Sequence, residues 1–359
     1  MFNISKHIVQ TIGKRQNQTM LDRRQWYSSK SSGGKKRSAG LMLFGAGMAL
    51  VGIGAYTETR PDLAVHRILS RQFGWLASRE LPESWRSPIF SAFASFYGVN
   101  LREMQGSLKD YRSFSEFFTR KLKKNARVID LAAPIVSPVD GTVLTFGQVD
   151  SANGRLNQIK GKEYSLQKFM GGIDSKLAGF HEDQPTYYCI IYLAPKDYHR
   201  IHSPVDWTLL ERKHFPGLLW SVAPVVLRYF NDIFAENERV VLNGEWAHGF
   251  FSMVPVGANN VGSITLRNEP EFHTNLSKRE QEKQSGNMLE NPYDAHQHFY
   301  HKKYSLLEQV SLTKGEEVAT FNAGSTVVLI FQSEIPFQFD LNESQSIQIG
   351  TSLGRLVTN

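Results

Sequence analysis

Thiol chemistry is almost absent from this chain. Its 359 residues include one cysteine, Cys189, which excludes an intrachain disulfide and any Cys-cluster zinc site. Cys189 stands in the apolar run from Tyr187 to Leu193 and reads as a buried strand thiol. No G-x-S-x-G segment occurs, which disfavours an ordinary α/β-hydrolase with its nucleophile elbow. No internal repeat is visible. Charge of one sign is also scarce beyond the start of the chain. Residues 1–38 carry nine Lys/Arg and one acid, Asp22, while the remainder holds 32 basic and 33 acidic residues. The formal net charge of +7 therefore reports the leader. A nucleic-acid-binding body loses its electrostatic support.

What is present starts with two targeting signals. Residues 1–38 are Lys/Arg-rich, Ser-rich and acid-poor, the composition of a mitochondrial transit peptide. Residues 39–56 are uncharged and contain five glycines. As a helix this stretch would be ~27 Å long, near the ~30 Å hydrocarbon core of a bilayer, and glycine is common in membrane helices. It is expected to span the membrane once. Lys35, Lys36 and Arg37 would lie on the matrix side and the body in the intermembrane space.

Residues 57–130 read as helical. Apolar side chains recur at helical spacing from Asp62 to Arg79 and from Ser87 to Tyr97. Ser113 and Glu116 form an S-x-x-E capping box ahead of Phe117 and Phe118. Aromatic faces with basic edges suit helices at a lipid surface, and equally suit packing on a core. From residue 131 to 359 the texture becomes short β-branched runs separated by Gly, Pro, Asn and Asp, which reads as strands. The fold class is α+β, with a helical N-terminal part and a mainly antiparallel β body. Residues 268–303 are polar and are expected to form a mobile insertion. His296, His298 and His301 lie in it at spacing too loose to point to a metal, and no metal is expected.

Three segments carry candidate chemistry: Ser137-Pro138-Val139-Asp140-Gly141-Thr142, Tyr198 to Pro204 with His199 and His202, and Phe321-Asn322-Ala323-Gly324-Ser325-Thr326. They supply an acid, two histidines and a serine, the parts of a Ser-His-Asp system, which is recognised by geometry rather than by chain order. A glycine before Ser325 leaves the preceding carbonyl unshielded, and the apolar run Val327–Phe331 would hold the hydroxyl at the mouth of a buried strand. On these residues alone, a membrane-tethered serine hydrolase and a non-catalytic β-barrel module of the lipoyl or phosphocarrier type both remain open.

Together the segments resemble phosphatidylserine decarboxylase of the mitochondrial and bacterial type. The family's S-P-V-D-G matches residues 137–141, its D-Y-H-R-x-H matches Asp197 to His202, and its K-G-x-E and F-x-x-G-S-T match Lys314 to Glu317 and Phe321 to Thr326. Phe117-Phe118-Thr119-Arg120, Phe215-Pro216-Gly217, Asn237-Glu238-Arg239-Val240 and Val256-Gly257-Ala258 support it. The chain departs from the family's usual leucine with Ala323. The resemblance implies self-cleavage between Gly324 and Ser325. His202, oriented by Asp140, would take the Ser325 hydroxyl proton, and the alkoxide would attack the Gly324 carbonyl. Elimination and hydrolysis then leave a covalent pyruvoyl group, a pyruvate-type cofactor, at residue 325, and the two chains stay together as a heterodimer. That ketone would condense with the amine of phosphatidylserine and act as the electron sink for its decarboxylation to phosphatidylethanolamine. His199 would serve the decarboxylation step, as phosphate contact or proton donor.

Overall fold

The computed structural model describes residues 63–149, 155–157, 163–171, 179–181, 183–227, 233–258, 263–276, 302–322 and 325–358. The expected leader and membrane span lie outside them, as do Ala323, Gly324 and residues 277–301. Among the described residues no helix is long and apolar enough to cross a membrane.

Helices come first. α1 spans Leu63–Ala77, α2 Glu83–Tyr97 and α3 Phe114–Phe118. The periodicity that predicted a helix from Ser87 understates α2, which begins four residues earlier and carries Pro88 inside. Gly98 ends it in the left-handed region at φ 79°, donating back to the Ala94 carbonyl. α2 buries Phe90 and Ala94, and the Phe90 ring stacks on Phe117 of α3 at 4.6 Å. The expected cap is formed: Ser113 Oγ accepts from the Glu116 amide at 3.1 Å. Trp75 and Leu76 of α1 and Trp85 and Phe96 of α2 are exposed. Three further short helices follow, α4 (Leu166–Met170), α5 (Pro224–Leu227) and α6 (Ile233–Glu236).

The β body is built from β1 (Gly141–Gln148), β2 (Arg155–Asn157), β3 (Glu163–Ser165), β4 (Thr186–Leu193), β5 (Arg200–His202), β6 (Trp207–Phe215), β7 (Arg239–Trp246) and β8 (Gly249–Val256). It continues with β9 (Ile264–Leu266), β10 (Glu269–His273), β11 (Lys302–Leu312), β12 (Glu317–Phe321), β13 (Ser325–Gln332), β14 (Phe337–Phe339), β15 (Ser346–Ile347) and β16 (Gly354–Leu356). Eight strands form the main sheet in the order β11-β6-β7-β8-β13-β4-β1-β15, and four form a second sheet, β10-β9-β12-β5. The ladders of both sheets are antiparallel.

The sequence of β13 explains its place. Ser-Thr-Val-Val-Leu-Ile-Phe-Gln has no polar face, so it must be covered on both sides, and all eight residues are buried. Val327, Leu329 and Phe331 face one core with Ile201, Ile264 and Phe321 of the second sheet. Val328 and Ile330 face another core with Phe169 and Phe234. Leu329→Ala would cost about 2–5 kcal/mol. Cys189, opposite Leu329 in β4, is the buried strand thiol expected, with burial pushing its pKa up to about 12.

One reading needs correction. The polar stretch assigned to an insertion from residue 268 contributes β10 first: Glu269 pairs with the buried Arg212 through two hydrogen bonds, and Phe272 lies 4.0 Å under that guanidinium. Isolated acids concealed this strand because their partner is 57 residues away in the sequence. The histidine segment contains the short strand β5 paired to β12.

Candidate active site at the strand ends

Main-chain hydrogen bonds stitch the three segments together. The His202 amide donates to the Pro138 carbonyl at 2.8 Å, and Val136 donates to Pro204 at 3.0 Å. Ser203 donates to Glu316 at 2.7 Å, Gly315 to Ser203 at 2.8 Å, and Phe321 to His199 at 2.9 Å. Across the main sheet, Thr142 and Thr326 both pair with Tyr192, one from each side. Gly141, Leu193 and Ser325 therefore fall in one transverse row, and Gly141 and Ser325 stand two strand spacings apart, roughly 9.5 Å. Gly141 is required here, since a Cβ would meet the Tyr192 carbonyl oxygen at 2.4 Å.

Ser325 opens β13 fully buried, and its hydroxyl has no hydrogen-bond partner. The alternation of β13 sets its side chain on the face of Val327 and Leu329, toward the second sheet. Thr326 Oγ1 is buried and unpartnered as well. A buried hydroxyl without a partner costs about 1–3 kcal/mol, so two in succession mark a place where stability yields to something else.

The two histidines occupy different environments. His199 is fully buried, its ring 4.1 Å from that of Phe118. Its Nδ1 lies 2.8 Å from the Asp197 carbonyl oxygen. A carbonyl can only accept, so Nδ1 carries the proton and Nε2 presents a lone pair. That Nε2 is buried and unpartnered. Burial drives the His199 pKa down to about 3, so the ring is neutral. His202 is half-buried, with Nδ1 2.8 Å from the Gly315 carbonyl oxygen and Nε2 3.3 Å from the Tyr198 hydroxyl. The same logic makes Nε2 its basic nitrogen. Burial lowers its pKa, while the Gly315 hydrogen bond and the Glu317 and Asp140 carboxylates act in the opposite sense. Gly315 reaches His202 because it holds φ 85°, where a Cβ would meet Ile129 at 2.9 Å.

Asp140 is placed at the start of β1 but is bonded elsewhere. Arg127 grips it with Nε and Nη2, and the Ile349 amide donates to Oδ1 at 3.0 Å. Arg127 also pairs with Glu103 at 2.9 Å. No hydrogen bond joins Asp140 to His202, or His202 to Ser325, among the described residues. Asp140 reaches His202 through its field.

Sequence reasoning missed four residues of this site. Arg127 looked like one basic residue among many. Arg120 is buried and donates to the Lys196 and Asp197 carbonyls at 2.9 and 3.3 Å, which holds the histidine segment. Tyr198 and Gly315 lay inside quoted motifs but gave no sign of contact with His202. Only the Phe-Phe-Thr-Arg stretch at 117–120 hinted that the helical part supports the site. Among the described residues no cluster of His, Cys, Asp or Glu could hold a metal ion.

A pyruvoyl group at residue 325 fits this setting. It keeps the Cα and Cβ of the serine, places a ketone oxygen where the amide nitrogen stood and loses Oγ. It thus needs no more volume than the serine fills, and removes a hydroxyl that nothing satisfies.

Comparisons with known proteins agree with the sequence resemblance. The family model described as phosphatidylserine decarboxylase matches residues 114–355. "Phosphatidylserine decarboxylase proenzyme, mitochondrial" of Rattus norvegicus is 42% identical over 327 residues, covering 83% of this chain and 77% of the relative. The protein of that name in Pongo abelii is 40% identical, covering 83% and 76%. "Phosphatidylserine decarboxylase proenzyme 1, mitochondrial" of Saccharomyces cerevisiae is 33% identical, covering 81% and 72%. With a family model over most of the chain and relatives matched along most of their own length, this chain belongs to the phosphatidylserine decarboxylase family.

Proposed function

We propose that this enzyme, a carboxy-lyase, decarboxylates phosphatidylserine to phosphatidylethanolamine after converting its own Ser325 into a pyruvoyl group. The observation that carries the reading is the buried, unpartnered Ser325 hydroxyl at the first position of the central strand. The printed name of the relatives, proenzyme, supports cleavage over a hydrolase that stays intact.

His202 and Ser325 cut the chain. Nε2 of His202 exchanges its long contact with Tyr198 for the Ser325 hydroxyl proton. Ser325 Oγ then attacks the Gly324 carbonyl and displaces the amide nitrogen, leaving an ester that opens by loss of the Ser325 α-proton; the dehydroalanine left at residue 325 tautomerises to an imine, and water replaces its nitrogen, which departs as ammonia. Asp140 stabilises the imidazolium that forms at His202. A heterodimer results, one chain ending at Gly324 and the other beginning at residue 325. The pyruvoyl ketone supplies the electron sink that a departing carboxyl group requires. His199 serves the decarboxylation step, as phosphate contact or proton donor: its buried Nε2 has no partner and is the ring nitrogen left open to the substrate.

Residues 1–38 act as a transit peptide and 39–56 as a single span of the mitochondrial inner membrane, with the β body in the intermembrane space. The relatives' names include mitochondrial. Exposed Trp75, Leu76, Trp85 and Phe96 support a helical part lying at the lipid surface, where the headgroup is. Protease added to mitoplasts is expected to degrade the body; sparing it would overturn this orientation.

Intact mass tests the central proposal. Active enzyme is expected to yield a fragment of 35 residues from position 325, lighter at its first residue by one ammonia than serine. An active, unbroken chain would refute it.

A further inference from the structure

The transverse row that holds Ser325 continues to a group the self-cleavage does not use. Thr326 pairs with Val256, and Val256 with Arg239. One step along, Gly257 falls opposite Ser325, and the Gly257 amide donates to the Glu238 carbonyl at 2.8 Å. Glu238, Gly257 and Ser325 thus stand side by side across three adjacent strand ends. Glu238 shares the face of Val240 and Leu242, which is the face of Val327 and Leu329 in β13. The side chains of Glu238 and Ser325 therefore point into the same core, with a glycine between them. Leu219 Cδ2 forms a wall there, 3.1 Å from where a Gly257 Cβ would stand.

Glu238 is fully buried. Its Oε1 accepts from His214 Nε2 at 2.9 Å and from the Asn275 amide at 2.7 Å. Its Oε2 is buried with no partner, and so is Asn275 Oδ1. Two buried oxygen acceptors at the Glu238 end of that row lack a donor. Phosphatidylserine brings one: its amine arrives as an ammonium, with three N–H donors and no lone pair. An ammonium cannot attack a carbonyl carbon until it loses a proton.

Building on the pyruvoyl reading, we infer that Glu238 is the binding subsite and proton acceptor for the substrate ammonium. The proton passes from nitrogen to Glu238 Oε2, the N–H bonding pair stays on nitrogen as its lone pair, and no bond to carbon breaks. His214 steadies Oε1 and Asn275 Oδ1 takes a second N–H. The Arg212–Glu269 ion pair also lies on this face, with Phe272 under the Arg212 guanidinium. Arg239 lies on the opposite face, over Phe215.

The test uses the full-length enzyme in phosphatidylserine vesicles with two probes. Hydroxylamine is a neutral amine at pH 7 and traps a ketone without prior loss of a proton; phosphatidylserine must lose one. Glu238→Gln is expected to cleave normally and to react with hydroxylamine at the wild-type rate. Its kcat/KM for phosphatidylserine should fall at least tenfold at pH 7 and recover as pH rises toward the pKa of the amine. Glu238→Asp, which keeps the carboxylate, should retain the wild-type shape of the pH profile. A Glu238→Gln kcat/KM within twofold of wild type, a loss independent of pH, an uncut Glu238→Gln chain, or an Asp variant no better than Gln would each overturn the subsite. A wild-type chain that is itself uncut and inert to hydroxylamine would instead overturn the pyruvoyl reading.

Discussion

Two buried polar regions meet where β7 begins, and they are built on opposite rules. On one side Asn237 and Arg239 are fully partnered. Asn237 donates to the Trp220 and Gly257 carbonyls and accepts from the Trp220 amide, all at 2.9 Å. Arg239 donates to the Phe169, Ala235, Asn237 and Lys168 carbonyls and lies 4.2 Å over the Phe215 ring. On the other side Ser325 Oγ, His199 Nε2 and Glu238 Oε2 are all buried without a partner. A satisfied network rigidifies the fold. Bare acceptors and hydroxyls cost stability in the resting chain and are available to a reaction. The comparison separates residues that build the molecule from those proposed to act, although all are equally buried.

The comparison breaks most sharply at Ser325. Ser325→Ala is expected to leave one chain on a denaturing gel and lower decarboxylation by roughly 10⁴-fold or more, with the fold intact. Unfolding would place Ser325 among the building residues. The next largest effect belongs to the satisfied side. Arg239→Met, made in the uncut Ser325→Ala background, strands four carbonyls and should cost about 3–5 kcal/mol in denaturant unfolding. A smaller loss would mean that its partners find water.

His199→Gln sharpens the other side. Cleavage should persist while kcat falls by roughly 10²-fold. The same substitution has a signature in stability. The folded His199 pKa, near 3, lies below the unfolded value of about 6.5. Between these values the unfolded chain binds the extra proton. The stability is therefore fully present above pH 6.5 and is lost as pH falls toward 3. Removing the imidazole should flatten that acid limb by about 3 kcal/mol between pH 7 and 4. The smallest effect is Thr326→Val, which removes a hydroxyl with no partner at nearly constant volume. Thermal unfolding should show no loss, or a gain of up to about 1 kcal/mol. A loss above 1 kcal/mol would show that this hydroxyl is bonded in solution.

Much of the fold was readable because its signals are local. Val327 to Phe331 spells a strand covered on both faces, Ser113 and Glu116 spell a helix start, and alternation with turn residues spells an antiparallel body. Asp140, His199, His202 and Ser325 stand as candidates because of three short motifs and the family resemblance those motifs carry. β10 escaped because its reason to exist is Arg212. The helix start at Glu83 escaped because the apolar spacing that marks the helix becomes clear only from Ile89 onward.

The sequence by itself determined which residue types stand at the strand ends and which segments are apolar enough to bury them, since hydrophobic period and turn chemistry act over a few neighbours. Only the tertiary structure decided who meets whom. It gave Asp140 to Arg127, gave His202 Nδ1 to the Gly315 carbonyl, and set Glu238 and Ser325 in one row across Gly257. Register across strands joins residues nearly ninety positions apart, and no local rule of spacing carries that information.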